Sequence, residues 1–214
     1  MNPVEVRVSG PLACFTRPEM KVERVTYPVM TPSAARGLLE AIFWKPQFQW
    51  HIEEILVLAP IRYVSIRRNE ISERQTGERA LGWANGGGRG GAFAADQRVQ
   101  RHTLALRDVD YLIRAQVEVA PGVGDAPAKF RDQFRRRVAR GQCFARPYLG
   151  CREFAADFRE PFGDEQPITD SEPLGRMLHS IEHEADGGPS APRFFDAALE
   201  AGVLHVPRLE AGAS

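Results

Sequence analysis

Lys129–Arg152, KFRDQFRRRVARGQCFARPYLGCR, carries eight Lys or Arg side chains against a single acid, Asp132. Its first half has the marks of a helix. Asp125 or Ala126 can cap the start, Pro127 suits the first turn and Gly141 suits the stop. Phe130, Phe134 and Val138 recur every four residues, which predicts one apolar stripe with arginines over the rest of the surface. Gly141–Gly150 then reads as a loop containing Arg146-Pro147-Tyr148, and Cys151–Phe158 reads as a strand. A helix wrapped in arginine and followed by a basic, glycine-bounded loop can seat a phosphate backbone. The plainer alternative is a solvated surface helix, because runs of charge usually serve only to face water.

Working outward, Val4–Val8 alternates strictly and predicts a half-buried strand. Cys14–Val29 is broken by Pro18 and Pro28 and reads as an irregular loop. Thr31-Pro32 is a cap followed by a first-turn proline. The helix it opens carries Ala35, Leu38, Leu39, Ile42 and Phe43 on one face and stops before Pro46. His51–Leu58 and Ile61–Arg68 are strand candidates. Ser72–Asp96 reads as a loop because Gly82–Gly91 is too rich in glycine to hold regular structure cheaply. Its functional version is an RNA-touching loop using Arg79, Trp83 and Arg89. Gln100–Leu106 and Val109–Val119 are two further strands, joined at Arg107-Asp108. After Pro161 the short apolar pieces Leu174–Ile181, Phe194–Leu199 and Val203–Val206 predict a small antiparallel sheet, with one helical turn over Arg193–Ala201.

This order, strand–helix–strand then strand–helix–strand with an inserted hairpin, predicts an α+β chain. Its first domain, residues 1–160, is ferredoxin-like (RRM-like), and a small C-terminal β domain spans 161–214. Val109–Val119 lacks the aromatic motif on which an RRM stacks bases, so base recognition by an aromatic platform is not expected.

The 214 residues have zero formal net charge, which at first argues against a nucleic-acid partner. The average hides a division, because Glu153–Asp186 holds ten acids and only Arg159 and Arg176 as strong bases. A polyanion responds to the local field, so overall neutrality does not exclude one. No apolar run approaches the roughly 20 residues of a membrane helix. Three cysteines without CxxC spacing, and an N-terminus unlike a signal peptide, predict a soluble cytoplasmic protein with free thiols.

Motifs for nucleotide hydrolysis, serine hydrolysis and dinucleotide binding are absent from the sequence. His179 and His183 have the spacing of a helical metal pair, but no third ligand is evident, so neither a metal nor another cofactor is expected. His102, beside Arg101 on a predicted strand, is a candidate for proton transfer at a phosphate, with a structural strand histidine as the alternative.

Several segments in order carry a resemblance: AIFWKP (Ala41–Pro46), TLALRDVDY (Thr103–Tyr111), Arg135-Arg136 and Gly141-Gln142 leading to PYLGCREF (Pro147–Phe154), LGRML (Leu174–Leu178) and AGVLHVP (Ala201–Pro207). Together they resemble the CRISPR-associated repeat-RNA endoribonucleases of subtype I-C, the "d" branch of the fifth Cas family in the RAMP superfamily. The resemblance spans nearly the whole chain. It implies a ferredoxin-like RAMP domain plus a small C-terminal sheet. It also implies metal-free cleavage of the repeat hairpin of precursor CRISPR RNA, leaving a 2′,3′-cyclic phosphate. The protein would then stay on the 5′ handle, alongside the backbone and large subunits of a Cascade-type antiviral complex.

The resemblance places a tyrosine just before WKP and a Lys-His pair at the start of the second long helix. Here those positions are Phe43 and Lys129-Phe130, so the lysine is kept and both proton-transfer groups are absent. Lys129 is the expected catalytic cation, with His102 as catalytic partner and Tyr148 or His51 as substitutes. Arg131, Arg135, Arg136, Arg137, Arg140, Arg146, Tyr148 and Gly150 are the expected RNA contacts. The alternative is a non-catalytic subunit that binds the handle, with duplex DNA as a further candidate partner because backbone contacts do not select strand type.

Overall fold

The computed structural model describes residues 3–73, 76–86, 91, 93–182 and 191–209. Its strands are β1 (Val4–Ala13), β2 (Arg24–Val25), β3 (Phe48–Val57), β4 (Tyr63–Ile71), β5 (Arg98–Val119), β6 (Asp157–Arg159), β7 (Glu172–Glu182), β8 (Ala191–Glu200) and β9 (Val203–His205). The helices are α1 (Pro32–Ile42), α2 (Gly77–Asn85) and α3 (Pro127–Ala139).

One sheet runs in the order β6–β1–β5–β3–β9–β8–β7, with β2 and β4 attached to β5 off this path. All the pairings along that order are antiparallel. The strict alternation of β1 turns Val4, Val6 and Val8 to the interior, beside Tyr111, Ile113, Ala115 and Val117 of β5 and Phe48, Trp50 and Ile52 of β3. This face is closed by the predicted apolar stripes of α1 (Ala35, Leu38, Leu39, Ile42) and α3 (Phe130, Phe134, Val138). Burying each large side chain of such a stripe is worth about 1.5–3 kcal/mol, which fixes the direction of the polar faces.

Helix α1 starts as its sequence predicts: the Thr31 hydroxyl accepts from the Ala34 N–H at 3.2 Å, and Pro32 occupies the first turn. Helix α3 starts at Ala126, whose methyl side chain cannot cap, while the Asp125 carboxylate one residue earlier pairs with Lys129.

Several sequence expectations are corrected. The two strands expected at 100–106 and 109–119 are the single β5; Asp108 at φ 54° bends it without ending it. Inside the expected loop 72–96, the Thr76 hydroxyl caps α2 and Glu78 favours its N-terminal end, although α2 buries no residue. Cys151–Phe158 is mostly turn and bend, with one antiparallel bridge from Ala155 to Tyr148 and strand pairing only from Asp157 onward. The helical turn expected at Arg193–Ala201 is strand β8. Its Ala and Leu content favours helix, but Phe195, Ala197 and Leu199 are buried with period two against β7. The expected C-terminal strands are β7, β8 and β9, and β9 also pairs with Glu54–Leu56 of β3. Beyond that contact, the stretch 48–52 of β3 pairs only with β5 among the described residues, leaving an open edge.

Candidate functional site

Because Phe130, Phe134 and Val138 are buried, α3 turns Lys129, Arg135, Arg136 and Arg140 outward, with Arg131 and Arg137 half-buried at the flanks. The helix ends in a Schellman arrangement. Gly141 sits at φ 61°, its N–H donates to the Val138 carbonyl at 3.0 Å, and the Gln142 N–H reaches back to the Arg137 carbonyl at 2.9 Å. The loop beyond is pinned to α1, because the N–H groups of Phe144 and Ala145 both donate to the Ala41 carbonyl, at 2.9 and 3.0 Å. Arg146 and Tyr148 remain exposed on it, while Pro147 and Leu149 are buried.

Two of the expected RNA contacts have internal duties. Arg137 donates from Nη1 to the Ile42 carbonyl at 3.0 Å and lies 5.4 Å from the centre of the Phe43 ring, so it caps the C-terminus of α1. Gly150 has φ 81°, and a Cβ there would stand 2.1 Å from the Cys14 carbonyl oxygen. The close approach that requires this glycine is therefore to the end of β1, where the Cys14 N–H also bonds the Leu149 carbonyl at 3.0 Å. Arg135 bonds the Pro3 carbonyl at 3.1 Å, and Arg136, Arg140 and Arg146 are exposed to solvent. Tyr148 and Gly150 line a cleft of about 330 Å³ against the first turns of α1.

Lys129 is exposed, with Nζ 2.8 Å from Asp125 Oδ1 and 5.9 Å from the centre of the Phe130 ring. Phe43 and Phe130 come close in space. Phe48 bridges them, at ring-centre distances of 5.5 and 4.9 Å, and Trp50 packs edge-on against Phe48 and Phe134. The indole N–H of Trp50 donates to the Phe43 carbonyl at 3.0 Å. Phe43 and Phe130 are 1% and 3% exposed, so they are part of the core, and a phenyl ring has no proton to exchange with a substrate.

The pairing of Lys129 with His102 is not supported by their positions. His102 stands opposite Arg67 in the outlying β4–β5 hairpin, and its backbone N–H is held by Glu23. Lys129 follows the other end of β5, and at about 3.3 Å per residue the intervening strand separates the two by tens of ångströms. Of the proposed metal pair, His183 lies outside the described residues, as does Arg89 of the glycine-rich loop. His179 lies on strand β7, so the helical spacing assumed for the pair does not apply.

A second group of side chains was not legible as a unit. A cleft of about 270 Å³ along the open edge of β3 is lined by Arg36, His51, Glu118, His179, Arg193 and Arg208. These residues come from five elements and the C-terminal segment, and no spacing in the sequence links them.

The profile of the family described as CRISPR-associated protein (Cas_Cas5) matches residues 4–207. The chain belongs to the Cas5d family. A Cas5d from Mannheimia succiniciproducens, named as a CRISPR pre-crRNA endoribonuclease, is 42% identical, over 96% of this chain and 95% of its own. One from Thermus thermophilus with the same description is 40% identical, over 97% of this chain and 92% of its own. A solved structure of a CRISPR-associated protein matches with a TM-score of 0.68 at 23% identity, covering 97% of this chain and 92% of that one, and speaks to the fold. The motifs AIFWKP and KFRDQF lead to the expectation of tyrosine, histidine and lysine at Phe43, Phe130 and Lys129. The fold gathers the three positions, but only Lys129 carries a polar group there.

Proposed function

We propose that this Cas5d chain is a metal-independent endoribonuclease that cuts the repeat hairpin of precursor CRISPR RNA. It then stays on the 5′ handle within a cytoplasmic subtype I-C Cascade-type assembly, beside the backbone and large subunits. The observation that carries this reading is near-full-length identity of about 40% to two proteins named as pre-crRNA endoribonucleases. Supporting it, α3 and its following loop present Arg135, Arg136, Arg140 and Arg146 on one continuous stretch, and Lys129 stands exposed at its start. Attack by the RNA's own 2′-hydroxyl calls for in-line positioning and a cation for the developing phosphorane charge, roles that arginines and a lysine can fill.

The order β6–β1–β5–β3, with two helices on one face, supports the ferredoxin-like reading of residues 1–160, and the β7–β8–β9 unit supports a separate C-terminal element within 161–214.

Repeat RNA incubated with the purified protein in EDTA tests the function. One discrete cut with a 2′,3′-cyclic phosphate end is expected, slowed at least tenfold in Lys129→Ala. Absence of a product would favour the second reading, a subunit that only grips the handle, which the burial of Phe43 and Phe130 supports. Competition between repeat RNA and duplex DNA at fixed salt ranks those two partners.

A further inference from the structure

We propose that the cleft along the open edge of β3 binds one phosphodiester of the RNA, and that His51 in it accepts the proton of the attacking 2′-hydroxyl. This rests on the nuclease reading above and assigns it a second site, beside the aromatic cluster.

The cleft sits where β3 loses its second neighbour, and it is walled by α1, β7, β8 and the segment after β9. Trp50 belongs both to the cleft wall and to the cluster that fills the positions of Phe43 and Phe130, so the two places share a side chain. Arg36, Arg193 and Arg208 all line this space of about 270 Å³, and arginine is the side chain best suited to a phosphate. Arg36 is held at Nε by Glu40 at 2.8 Å. Glu118 lines the wall, and Glu53 acts on His51 from the same strand, so the cleft is not uniformly cationic and favours an anion that reaches the arginines.

The two histidines differ in their partners. The Nε2 atom of His179 lies 3.0 Å from the Pro207 carbonyl, which can only accept, so Nε2 carries the proton; Nδ1 faces the Ser180 hydroxyl at 3.1 Å. His179 is thereby a positioning residue. It clamps the C-terminal segment, whose Val206 N–H also bonds the Glu53 carbonyl at 2.8 Å, and so holds Arg208 at the cleft. His51 is half-buried in the same wall. Burial first, and then Arg208, hold its pKa below the ordinary value, so it is neutral at pH 7 and able to take a proton.

In the step, the His51 imidazole takes the 2′-hydroxyl proton as the O2′–P bond forms. The P–O5′ bond breaks, and the leaving 5′ oxygen takes a proton from solvent water. The arginines face the charge that builds on the phosphorane. His51 then returns its proton to solvent, leaving a 2′,3′-cyclic phosphate and a 5′-hydroxyl.

The test uses the full chain with repeat RNA in EDTA, and the same RNA with a 2′-deoxynucleotide at the cut for NMR titration of the histidine rings. The expected results are a rise in the His51 titration midpoint when the deoxy RNA binds, and cleavage slowed about 100-fold or more in His51→Gln with hairpin affinity within threefold of wild type. The rise of kcat/KM with pH, which reports the free protein, should be centred below about 6.5 and should vanish in that variant. Arg208→Gln, at an exposed position that does not threaten folding, should weaken the midpoint shift. An unmoved His51 midpoint, or a His51→Gln variant that cuts at the wild-type rate, overturns the proposal. A wild-type chain that shifts His51 on binding yet cuts nothing sinks the nuclease reading and leaves the phosphate site standing.

Discussion

At the scale of single residues, the α3 arginines divide by what they already touch. Arg137 satisfies the last carbonyl of α1 and covers Phe43, while Arg136 and Arg140 face solvent. Charge-assisted hydrogen bonds of this kind contribute about 1.5–3 kcal/mol, part of which water recovers on truncation. Arg137→Ala should therefore lower unfolding stability by about 1–2 kcal/mol in a denaturant titration. Arg136→Ala and Arg140→Ala should leave the midpoint unchanged and reduce RNA affinity with a shallower salt dependence. The sequence shows eight cations within Lys129–Arg152 but gives each the same weight, because what separates Arg137 is a carbonyl 95 positions away. Phe130 is the opposite case. Its place in the apolar stripe and its place in the catalytic pattern were both readable, and its 3% exposure settles on packing.

At the scale of elements, the loop after α3 is set by contacts at its two glycine ends. Gly141 closes the helix, and Gly150 lies against Cys14 at the end of β1. An added methyl at Gly150 would meet backbone that cannot swing aside, in a conformation L-residues resist. Gly150→Ala should cost more than about 2 kcal/mol in thermal or denaturant unfolding, whereas Gly124→Ala, with open space around its Cβ position, should cost little. The helices α1 and α3 were legible in their faces and extents, because periodicity, the Thr31 cap of α1 and the Gly141 stop of α3 decide them. Helix α2 was hidden by the glycines that follow it. Strand β8 was hidden by alanine and leucine, whose preference for helix is overridden by pairing with β7.

At the scale of the whole molecule, both half-buried histidines of the β3-edge cleft have lowered pKa values. For His51 burial leads and Arg208 adds to it; for His179 burial leads, opposed by the Pro207 carbonyl and reinforced by His51, Arg193 and Arg36. The unfolded chain therefore binds these protons more readily than the folded one. Above about pH 6.5 they contribute no pH dependence, and as pH falls from there through the lowered values stability is lost. Thermal unfolding between pH 8 and pH 5 should show that loss in the wild type and less of it in a His51→Gln, His179→Gln double variant. The cleft itself was invisible in the sequence, since Arg36, His51, Glu118, His179, Arg193 and Arg208 meet only because the sheet carries β7 and β8 round to α1.

Strand β5 serves two neighbourhoods at once: Arg98–Leu106 pairs with β4 in the outlying hairpin, while Leu106–Ala115 pairs with β1 and Tyr111–Val119 with β3 under the helices. Side chains alternate along it, so the loss or gain of one residue in its middle would turn every side chain of the hairpin half over, exposing Thr103 and Ala105 and burying Arg101's neighbours in their place. Length changes in this part of the chain are therefore tolerated at the hairpin tip, around α2, and in the body of β5 only as compensated pairs.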